Sequence, residues 1–522
     1  MRSLYARLSQ RYGAKRPPAE RLRQIQPRIA AFRERLRAQL APAFVQPTTK
    51  RKVAIVGAGF AGLMAAAVLA RSSFEVIVFE ARDRVGGRVH TFIDQDKHQA
   101  VEAGAELIGY NHMLWLSLAK ELDLGLTVLT SEDAFAELNL EMPLWLNGHL
   151  LRPRDAKKVY ERMEPLVQHI CSEANKIANP YEPWQVKHAA KLDSTSLADW
   201  IRKQHCSPLA KRAFEVDSEN TNATATKNQS YLANLAAIRG GALHGDLDDY
   251  FTRSERVKCE QGNDALAKKL AEQVVQAGGQ VRCKSPVVTI DIREDRTHVQ
   301  SADGTSFETD YAVLAIPPSL WPPSEKSVIK VQPTLPHGFR ISMGSAVKYL
   351  SSVKTRFWLA EGLSPNAVSD RIGMTWEGTD NQMQIDDNPV ELSLFAGGAA
   401  AEEAIKLKRE SEESLHAFYA RELELLYRGY TDNRASRPVF VPWTEERWTA
   451  AGYSCPAPGE LTRIGPFLRQ PFHERLYFAG EHCCPAFFGY MEGALESGLH
   501  AARSICRQEG IADAFADYVP GA

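Results

Sequence analysis

Three glycines near the start of the chain are spaced as in a loop that binds a dinucleotide. Gly57, Gly59 and Gly62 lie in VAIVGAGFAG and follow a short β-branched run. The first permits a tight turn, the second lets the backbone approach a pyrophosphate, and the third lets a helix pack against the strand. Backbone N–H groups at the start of that helix would meet the pyrophosphate. The spacing predicts a dinucleotide site.

An acidic residue follows at the distance that ribose binding requires. Glu80 ends the next apolar run, EVIVFE, and lies 18 residues after Gly62. A carboxylate there holds ribose hydroxyls and disfavours a 2′-phosphate, so NADP is disfavoured. In RVGGR, residues 84–88, the chain can turn close to the cofactor at Gly87 and reach the pyrophosphate through Arg88. These residues alone leave both NAD and FAD open.

Further blocks make the chain resemble the flavin-dependent amine oxidase superfamily over about residues 51–506. After the glycine motif and RVGGR come, in family order, GAELIG (104–109), SPVVTI (285–290), KYLSSVKTRFW, and FAGEH with GYMEGALESG. The resemblance implies FAD. It also implies an α/β fold, with a Rossmann-like FAD-binding domain of the two-dinucleotide-binding type, an inserted α+β substrate domain and an N-terminal helical extension.

The resemblance also assigns the residues that contact FAD. They run from the glycine motif and the ribose and pyrophosphate ligands, through the segment beside the isoalloxazine ring, to the adenine, ribityl-phosphate and pyrimidine contacts: Gly57, Gly59, Gly62, Glu80, Arg82, Gly87, Arg88, Gly104, Ala105, Glu106, Leu107, Val287, Gly480, Glu481, Gly489 and Met491. Gly452 stands where monoamine oxidases carry the flavin-linking cysteine, so non-covalent FAD is expected. No metal is expected.

Four further residues are implied to act at the flavin ring. Lys348 lies nine residues before the Phe of a Phe-Trp pair, like the family lysine that holds a water against flavin N5. Trp443 matches a tryptophan packed near the flavin, and Tyr453 and Tyr490 match the walls of the aromatic cage in monoamine oxidases. Parallel rings there would steer an amine toward N5 and exclude water. The implied reaction oxidises a C–N bond to an imine, which water hydrolyses, and reduces O2 to H2O2.

The substrate class is less well defined. Amino-acid oxidases bind the substrate carboxylate with an arginine, and in the well-known enzymes it follows the flavin-side segment; GAELIGYNH has none. The middle of the chain nevertheless looks like bacterial L-amino-acid oxidases, and an L-amino-acid oxidase is the main expectation. The arginines considered for the carboxylate are Arg239, Arg340 and Arg371.

Three alternatives stay open. One is a monoamine or polyamine oxidase, and the acidic cluster Asp246, Asp248 and Asp249 would suit a polyamine, although GDLDD is more simply a solvated turn. Another is a flavin oxidoreductase that does not act on amines, such as a desaturase. The last is a flavin-binding scaffold protein, which is supported only by the basic N-terminal extension at residues 1–50.

The elements that position these residues come from both ends of the chain. We predict a basic N-terminal helical extension at 1–50. The FAD-binding domain is assigned to 51–118, 255–325 and 438–522, and the substrate domain to 119–254 and 326–437. Apolar residues at helical spacing from Leu22 to Leu40 predict a helix in the extension. The polar stretch 217–230 predicts a loop.

The bulk composition limits partners and location. The chain has 522 residues and a formal net charge of -1, which gives no reason to expect nucleic acid. It lacks an apolar run long enough for a membrane span, and its N-terminus lacks a secretory signal. Eight cysteines in so long a chain do not form a disulfide framework. We expect a cytoplasmic enzyme that binds a small amine or L-amino acid and O2, and we consider a homodimer.

Overall fold

The computed structural model describes residues 3–13, 50–94, 99–242, 246–382 and 389–511. Its central sheet is parallel and contains β1 (Lys52–Val56), β2 (Glu75–Phe79), β9 (Gln280–Arg282), β13 (Tyr311–Leu314) and β20 (Leu476–Phe478). The strands lie in the order β20, β13, β1, β2, β9. Apolar runs such as YAVL of β13 are buried throughout, as expected for strands covered on both faces.

Helices from distant parts of the chain cover this sheet. They are α2 (Phe60–Arg71), α11 (Asp264–Gln276) and α16 (Met491–Gln508), which share one apolar core with β1 and β2. The central sheet thus takes strands from each of the three segments predicted for the FAD-binding domain. The predicted α/β class is confirmed.

A smaller sheet flanks the central one. It contains β10 (Val287–Ile292), β11 (Thr297–Ser301), β12 (Ser306–Thr309) and β14 (Lys330–Gln332) in the order β12, β11, β10, β14. Two ribbons are formed by β3 (Thr91–Asp94) with β4 (Gln99–Glu102), and by β5 (Leu126–Val128) with β8 (Val257–Cys259).

A large, mainly antiparallel sheet forms the second lobe. Its strands are β6 (Leu144–Leu146), β7 (His149–Leu150), β15 (Ala346–Val353), β16 (Ala367–Ser369), β17 (Gly373–Glu377), β18 (Val390–Gly397) and β19 (Val439–Pro442). Their order is β19, β15, β18, β17, β16, β6, β7. This arrangement places β15, the strand of Lys348, between β19 and β18.

The remaining helices surround these sheets. They are α1 (Leu4–Tyr12), α3 (Met113–Glu121), α4 (Glu132–Glu137), α5 (Pro153–Ala174), α6 (Ala189–Ser194), α7 (Leu197–Lys203), α8 (Pro208–Asn222), α9 (Tyr231–Gly240), α10 (Asp248–Arg253), α12 (Gly398–Glu410), α13 (Glu412–Leu426), α14 (Tyr430–Asn433) and α15 (Glu460–Leu468). Nowhere in the described ranges is a helix both long enough and apolar enough to span a membrane.

The prediction of a loop at 217–230 is wrong. Helix α8 continues through Asn222, and a 3-10 turn follows at Thr226–Asn228. Polar residues of this stretch form buried hydrogen bonds within the protein. The Asn222 side chain donates to Gln229 Oε1 at 2.7 Å and to Asn234 Oδ1 at 3.0 Å. A polar stretch was therefore mistaken for a solvated one. The helix predicted between Leu22 and Leu40 lies outside the described residues.

Candidate functional site

One large cavity runs between the central sheet and the β15 sheet, with about 1880 Å³ of space that no atom fills. Almost every residue predicted for the cofactor or the chemistry lines it. Those residues are Gly57, Gly59, Glu80, Arg82, Gly87, Arg88, Gly104, Ala105, Glu106, Leu107, Val287, Lys348, Trp443, Tyr453, Gly480, Glu481, Gly489, Tyr490 and Met491. The exception, Gly62, lies beneath the glycine loop, where an added Cβ would overlap the Gly57 carbonyl oxygen.

The glycine loop forms an open cradle at one end of the cavity. Gly57 has φ +108°, a backbone conformation that L side chains rarely adopt. Gly59 caps α2 without a side chain, and a Cβ added there would have no neighbour within 4 Å. Space above a helix N-terminus with backbone N–H groups facing it suits a pyrophosphate. This end of the cavity therefore fits the phosphates of a dinucleotide.

Glu80 stands beside this cradle as a fixed carboxylate. It accepts hydrogen bonds from the backbone N–H of Ala58 at 2.9 Å and of Arg82 at 2.8 Å. The Arg82 guanidinium in turn donates to Thr449 Oγ1 at 2.7 Å and forms an ion pair with Glu446. The Glu80 carboxylate is thus oriented at the position where a ribose would lie.

Arg88 and Glu481 join the first and last motifs. The Arg88 guanidinium donates to Glu481 Oε1 at 2.7 Å and to the Gly452 carbonyl at 3.0 Å. Glu481 also accepts from the Gly489 N–H at 2.7 Å and from the Ser454 hydroxyl. Burial opposes ionisation of Glu481, but Arg88 and the Ser454 hydrogen bond outweigh it and hold its pKa below the usual value. These two side chains are engaged with each other as well as lining the cavity, which the sequence did not predict.

Lys348 projects from β15 into the middle of the cavity and is only 4 % exposed. Its ammonium donates to the Glu102 carbonyl at 2.7 Å and to Glu106 Oε2 at 2.8 Å. The other oxygen of Glu106 accepts from the Trp376 indole N–H at 2.9 Å. An ammonium has three N–H donors, so one remains for the cavity.

The counter-ion of Lys348 is Glu106 rather than its neighbour Glu102. Burial raises the pKa of Glu102 to about 8, which keeps its carboxyl neutral at pH 7. Sequence reasoning placed Glu106 among the FAD contacts but did not predict that its carboxylate pairs with Lys348. The available signal was an acid placed between the apolar residues of GAELIG. Trp376 gave no signal, because its strand lies far from Glu106 in sequence.

Aromatic side chains close the other end of the cavity. The Tyr453 hydroxyl donates to the Thr221 carbonyl at 2.9 Å, and its ring stacks on Phe395 with a centroid distance of 6.4 Å and an interplanar angle of 16°. Tyr490 hydrogen bonds with Tyr250. Burial, with Glu255 among the further causes, raises the pKa of both Tyr453 and Tyr490 well above the usual value, so both are neutral. The Trp443 indole N–H donates to the Ala103 carbonyl at 2.8 Å.

Charged side chains of both signs line the described part of the cavity. Among the described residues, the cations that line it are Arg82, Arg88 and Lys348, and each is paired with a carboxylate, Glu446, Glu481 and Glu106 respectively. Glu255 adds a further carboxylate to the lining near the tyrosines.

The arginines considered for a substrate carboxylate lie outside the cavity lining. Arg239 donates to the Ile177 carbonyl at 3.2 Å, Arg371 pairs with Glu422 at 3.0 Å, and Arg340 is exposed. The predicted acidic cluster is also absent from the lining, and its Asp249 is buried and pairs with Arg253 at 2.6 Å.

Gly452 is enclosed in the same region. A Cβ added there would lie 2.7 Å from the Ala346 Cβ, so a cysteine at this position would collide with β15. A side chain at position 452 is therefore disfavoured by the packing.

A dinucleotide cradle joined to a buried lysine and an aromatic end defines a flavin-dependent oxidoreductase. Residues 60–506 match the family model of flavin-containing amine oxidoreductases, and the chain belongs to this family. Its cofactor is FAD, which when bound supplies an acceptor for two electrons.

Similar proteins and solved structures agree with this assignment to the family. Amine oxidase [flavin-containing] A of Equus caballus is 27% identical, over 88% of this chain and 85% of the relative. Amine oxidase [flavin-containing] B of Homo sapiens is 27% identical, over 89% and 87%. A triple mutant of putrescine oxidase shares the fold with a TM-score of 0.75 at 24% identity, covering 88% of this chain and 100% of that one. Cyclohexylamine oxidase from Brevibacterium oxydans IH-35A gives 0.74 at 21% identity, with the same coverage. The predicted closeness to bacterial L-amino-acid oxidases gains no support from these matches.

Proposed function

We propose that the protein oxidises an amine that carries no carboxylate on the reacting carbon. The observation that carries this proposal is the charge of the cavity. Each lining cation among the described residues is already paired with a carboxylate of the protein. Among the residues that the structure describes, an amino-acid carboxylate entering this cavity would meet no lining cation that lacks a carboxylate partner. The main expectation from the sequence, an L-amino-acid oxidase, is therefore replaced by its alternative.

The proposed reaction converts a primary amine, O2 and water into an aldehyde, ammonia and H2O2. The C–H bond next to nitrogen breaks, water hydrolyses the resulting imine, and O2 is reduced to H2O2. FAD, held at the glycine loop, Glu80 and Arg88, would supply the acceptor for the two electrons. Tyr453 and Tyr490 line the cavity and stay neutral, so neither removes a proton from the amine. In the proposed reaction their rings flank the amine and exclude water. The third N–H of Lys348 holds a water in the cavity. No protein base is needed if the amine binds unprotonated, so the rate rises with pH through the pKa of the substrate.

A peroxide-release assay on matched pairs tests the proposal. Each pair consists of an L-amino acid and the amine left by its decarboxylation: phenylalanine and phenethylamine, leucine and isopentylamine, ornithine and putrescine. We expect higher kcat/KM for the amine in every pair, by about 100-fold or more, since an unpaired buried carboxylate costs several kcal/mol. Preference for the amino acids would restore the L-amino-acid oxidase. No peroxide with either member, from protein that holds FAD, would point to a desaturase-like enzyme or a scaffold.

A further inference from the structure

Helix α1 lies outside the matched family region and yet brings two arginines into the second lobe. The helix, Leu4–Tyr12, precedes residue 60, where the family match begins. Arg7 is fully buried, and the side chain of Arg11 is 10 % exposed. Because the two arginines are four residues apart, they lie on the same face of the helix. This face therefore joins the helix to the lobe.

Arg7 connects two neighbouring strands of the large antiparallel sheet. Its guanidinium donates to the Ala367 carbonyl of β16 at 2.8 Å and to the Thr375 carbonyl of β17 at 2.9 Å. These two residues are opposite each other in the register of the strand pair. The Ala367 N–H donates to the Thr375 hydroxyl oxygen at 3.0 Å, so the guanidinium and the hydroxyl together hold the strands at this position. Helix α1 therefore fixes the backbone of β17 at Thr375.

The next residue of β17 contacts both members of the buried ion pair in the main cavity. The Trp376 indole N–H donates to Glu106 Oε1 at 2.9 Å, and the Lys348 Nζ lies 5.6 Å from the centre of the Trp376 ring. Glu106 Oε2 accepts from Lys348 at 2.8 Å. Since Trp376 directly follows Thr375, a shift of the strand at Thr375 moves the indole relative to both charged groups.

Given the proposed role of Lys348 in flavin chemistry, we propose that Arg7 is a positioning residue for the Lys348–Glu106 pair. It acts through the backbone of β17 and the Trp376 indole. Two hydrogen bonds from Arg7 hold the strand, and one hydrogen bond from Trp376 holds the carboxylate that pairs with the ammonium. Helix α1 thereby contributes to the geometry of the flavin site, although none of its residues 4–12 lines the main cavity.

Arg11 offers a matched control on the same face of the helix. Its hydrogen-bond partners among the described residues are Glu132, at 2.7 Å, and the Leu140 carbonyl, also at 2.7 Å, and both lie outside β17. Glu132 is buried, so Arg11→Met leaves a buried carboxylate without its cation and destabilises the protein. This variant weakens the attachment of α1 without removing a contact to the strand of Trp376.

The first measurement follows the Trp376 indole N–H by NMR in the FAD-loaded full chain with isotope-labelled tryptophan. The signal is assigned by its absence in Trp376→Phe. We expect Arg7→Met to shift or broaden it and Arg11→Met to leave it in place, although both variants lower the thermal midpoint. Arg7→Lys keeps the charge but lacks the planar fork of the guanidinium, so it should shift the signal less, and it serves if Arg7→Met fails to fold. An unchanged signal in the Arg7 variants overturns the inference.

The second measurement is a double-mutant cycle on the half-reaction that Lys348→Met slows, with the oxidative one started from dithionite-reduced enzyme. We expect Arg7→Met to slow this half-reaction by about 5- to 10-fold, as for one lost hydrogen bond, and Arg11→Met to leave its rate within about 2-fold. Trp376→Phe keeps an aromatic ring but lacks the indole N–H. In that background Arg7→Met should slow the half-reaction no further, because its effect passes through this N–H.

Three results of the cycle overturn the inference. They are an equal effect of Arg7→Met in both backgrounds, a parent rate in Trp376→Phe, and a Lys348→Met variant that reacts like the parent. Dithionite-reduced enzyme reacts with O2 whether or not any amine is a substrate. Failure of the parent enzyme to oxidise amines would therefore overturn the proposed function and leave the positioning role of Arg7 to be decided by the cycle and the indole signal.

Discussion

The buried pair of Lys348 and Glu106 is the first place where single residues determine the behaviour of the site. Removing one partner leaves the other buried and charged, which costs about 3–5 kcal/mol, whereas removing both does not. We predict that Lys348→Met and Glu106→Gln each lower the thermal midpoint, and that the double variant is more stable than either single one. The check is a double-mutant cycle from thermal or urea unfolding. Additive effects would show that the two side chains are not coupled.

Lys348 also bears directly on flavin chemistry. Lys348 lines the cavity and uses two of its three N–H donors on Glu102 and Glu106, so Lys348→Met removes a donor without adding bulk. We predict that the variant keeps bound FAD and its yellow colour but reacts about 100-fold more slowly in either the reductive or the oxidative half-reaction, as when one preorganised donor is lost. Stopped-flow measurement of both half-reactions checks this. Rates equal to the parent's in both would remove Lys348 from the mechanism.

Short-range and long-range features differ in how far the sequence predicts them. The glycine loop and Glu80 are readable because their roles depend on a few neighbouring residues and a fixed spacing. The pairing of Lys348 with Glu106 and Trp376 depends on how β15 and β17 pack against the segment after β4, which no local pattern records. Glu255 stood in a polar sequence with no spacing to mark it. The resemblance identified the lysine, but its counter-ion and the charge balance of the cavity required the fold.

The junction of β1 and α2 offers a contrast between Gly59, which caps the helix, and Gly62, which lies in its first turn. A Cβ on Gly62 would overlap the Gly57 carbonyl, whereas one on Gly59 would meet only open space. We predict that Gly62→Ala destabilises the protein itself. Gly59→Ala should fold as well as the parent without cofactor but bind FAD at least about 10-fold more weakly, since the methyl occupies the space for the pyrophosphate. Thermal melts of the apo-protein and FAD titration separate the two. Equal FAD affinity in Gly59→Ala would place the phosphates elsewhere.

The ion pair between Arg88 of the RVGGR segment and Glu481 of the last motif predicts that stability depends on pH. The pKa of Glu481 is lowered in the folded protein, so its contribution to stability is present above the unfolded carboxyl value, about 4.3, and is lost as pH falls through the folded value. We predict that the parent loses thermal stability below about pH 4.3 partly through this group, and that Glu481→Gln lacks that part. Thermal midpoints of both proteins between pH 6 and 3 provide the test. Parallel curves would mean that Glu481 does not contribute.

At the scale of the whole molecule, a buried arginine connects helix α1 to the part of the chain that matches the family model. Arg7 is fully buried, and its guanidinium holds the carbonyls of β16 and β17 residues Ala367 and Thr375. Helix α1 and strands β16 and β17 therefore meet behind the cavity wall that carries Met374 and Trp376. Because these carbonyls are buried, they lose their donor and gain no water if the arginine is replaced by an apolar side chain.

Arg7→Met tests this connection at the level of the whole fold. We predict a loss of about 2–4 kcal/mol, because two charge-assisted hydrogen bonds disappear and two carbonyls stay unsatisfied. Hydrogen exchange should rise in α1 and in β17 while the central sheet β1–β2 stays protected. Arg7→Lys, whose ammonium can still donate to the carbonyls, should fall between the parent and Arg7→Met. If exchange rises in α1 alone, the helix is an attached appendage, and β17 keeps its place without it.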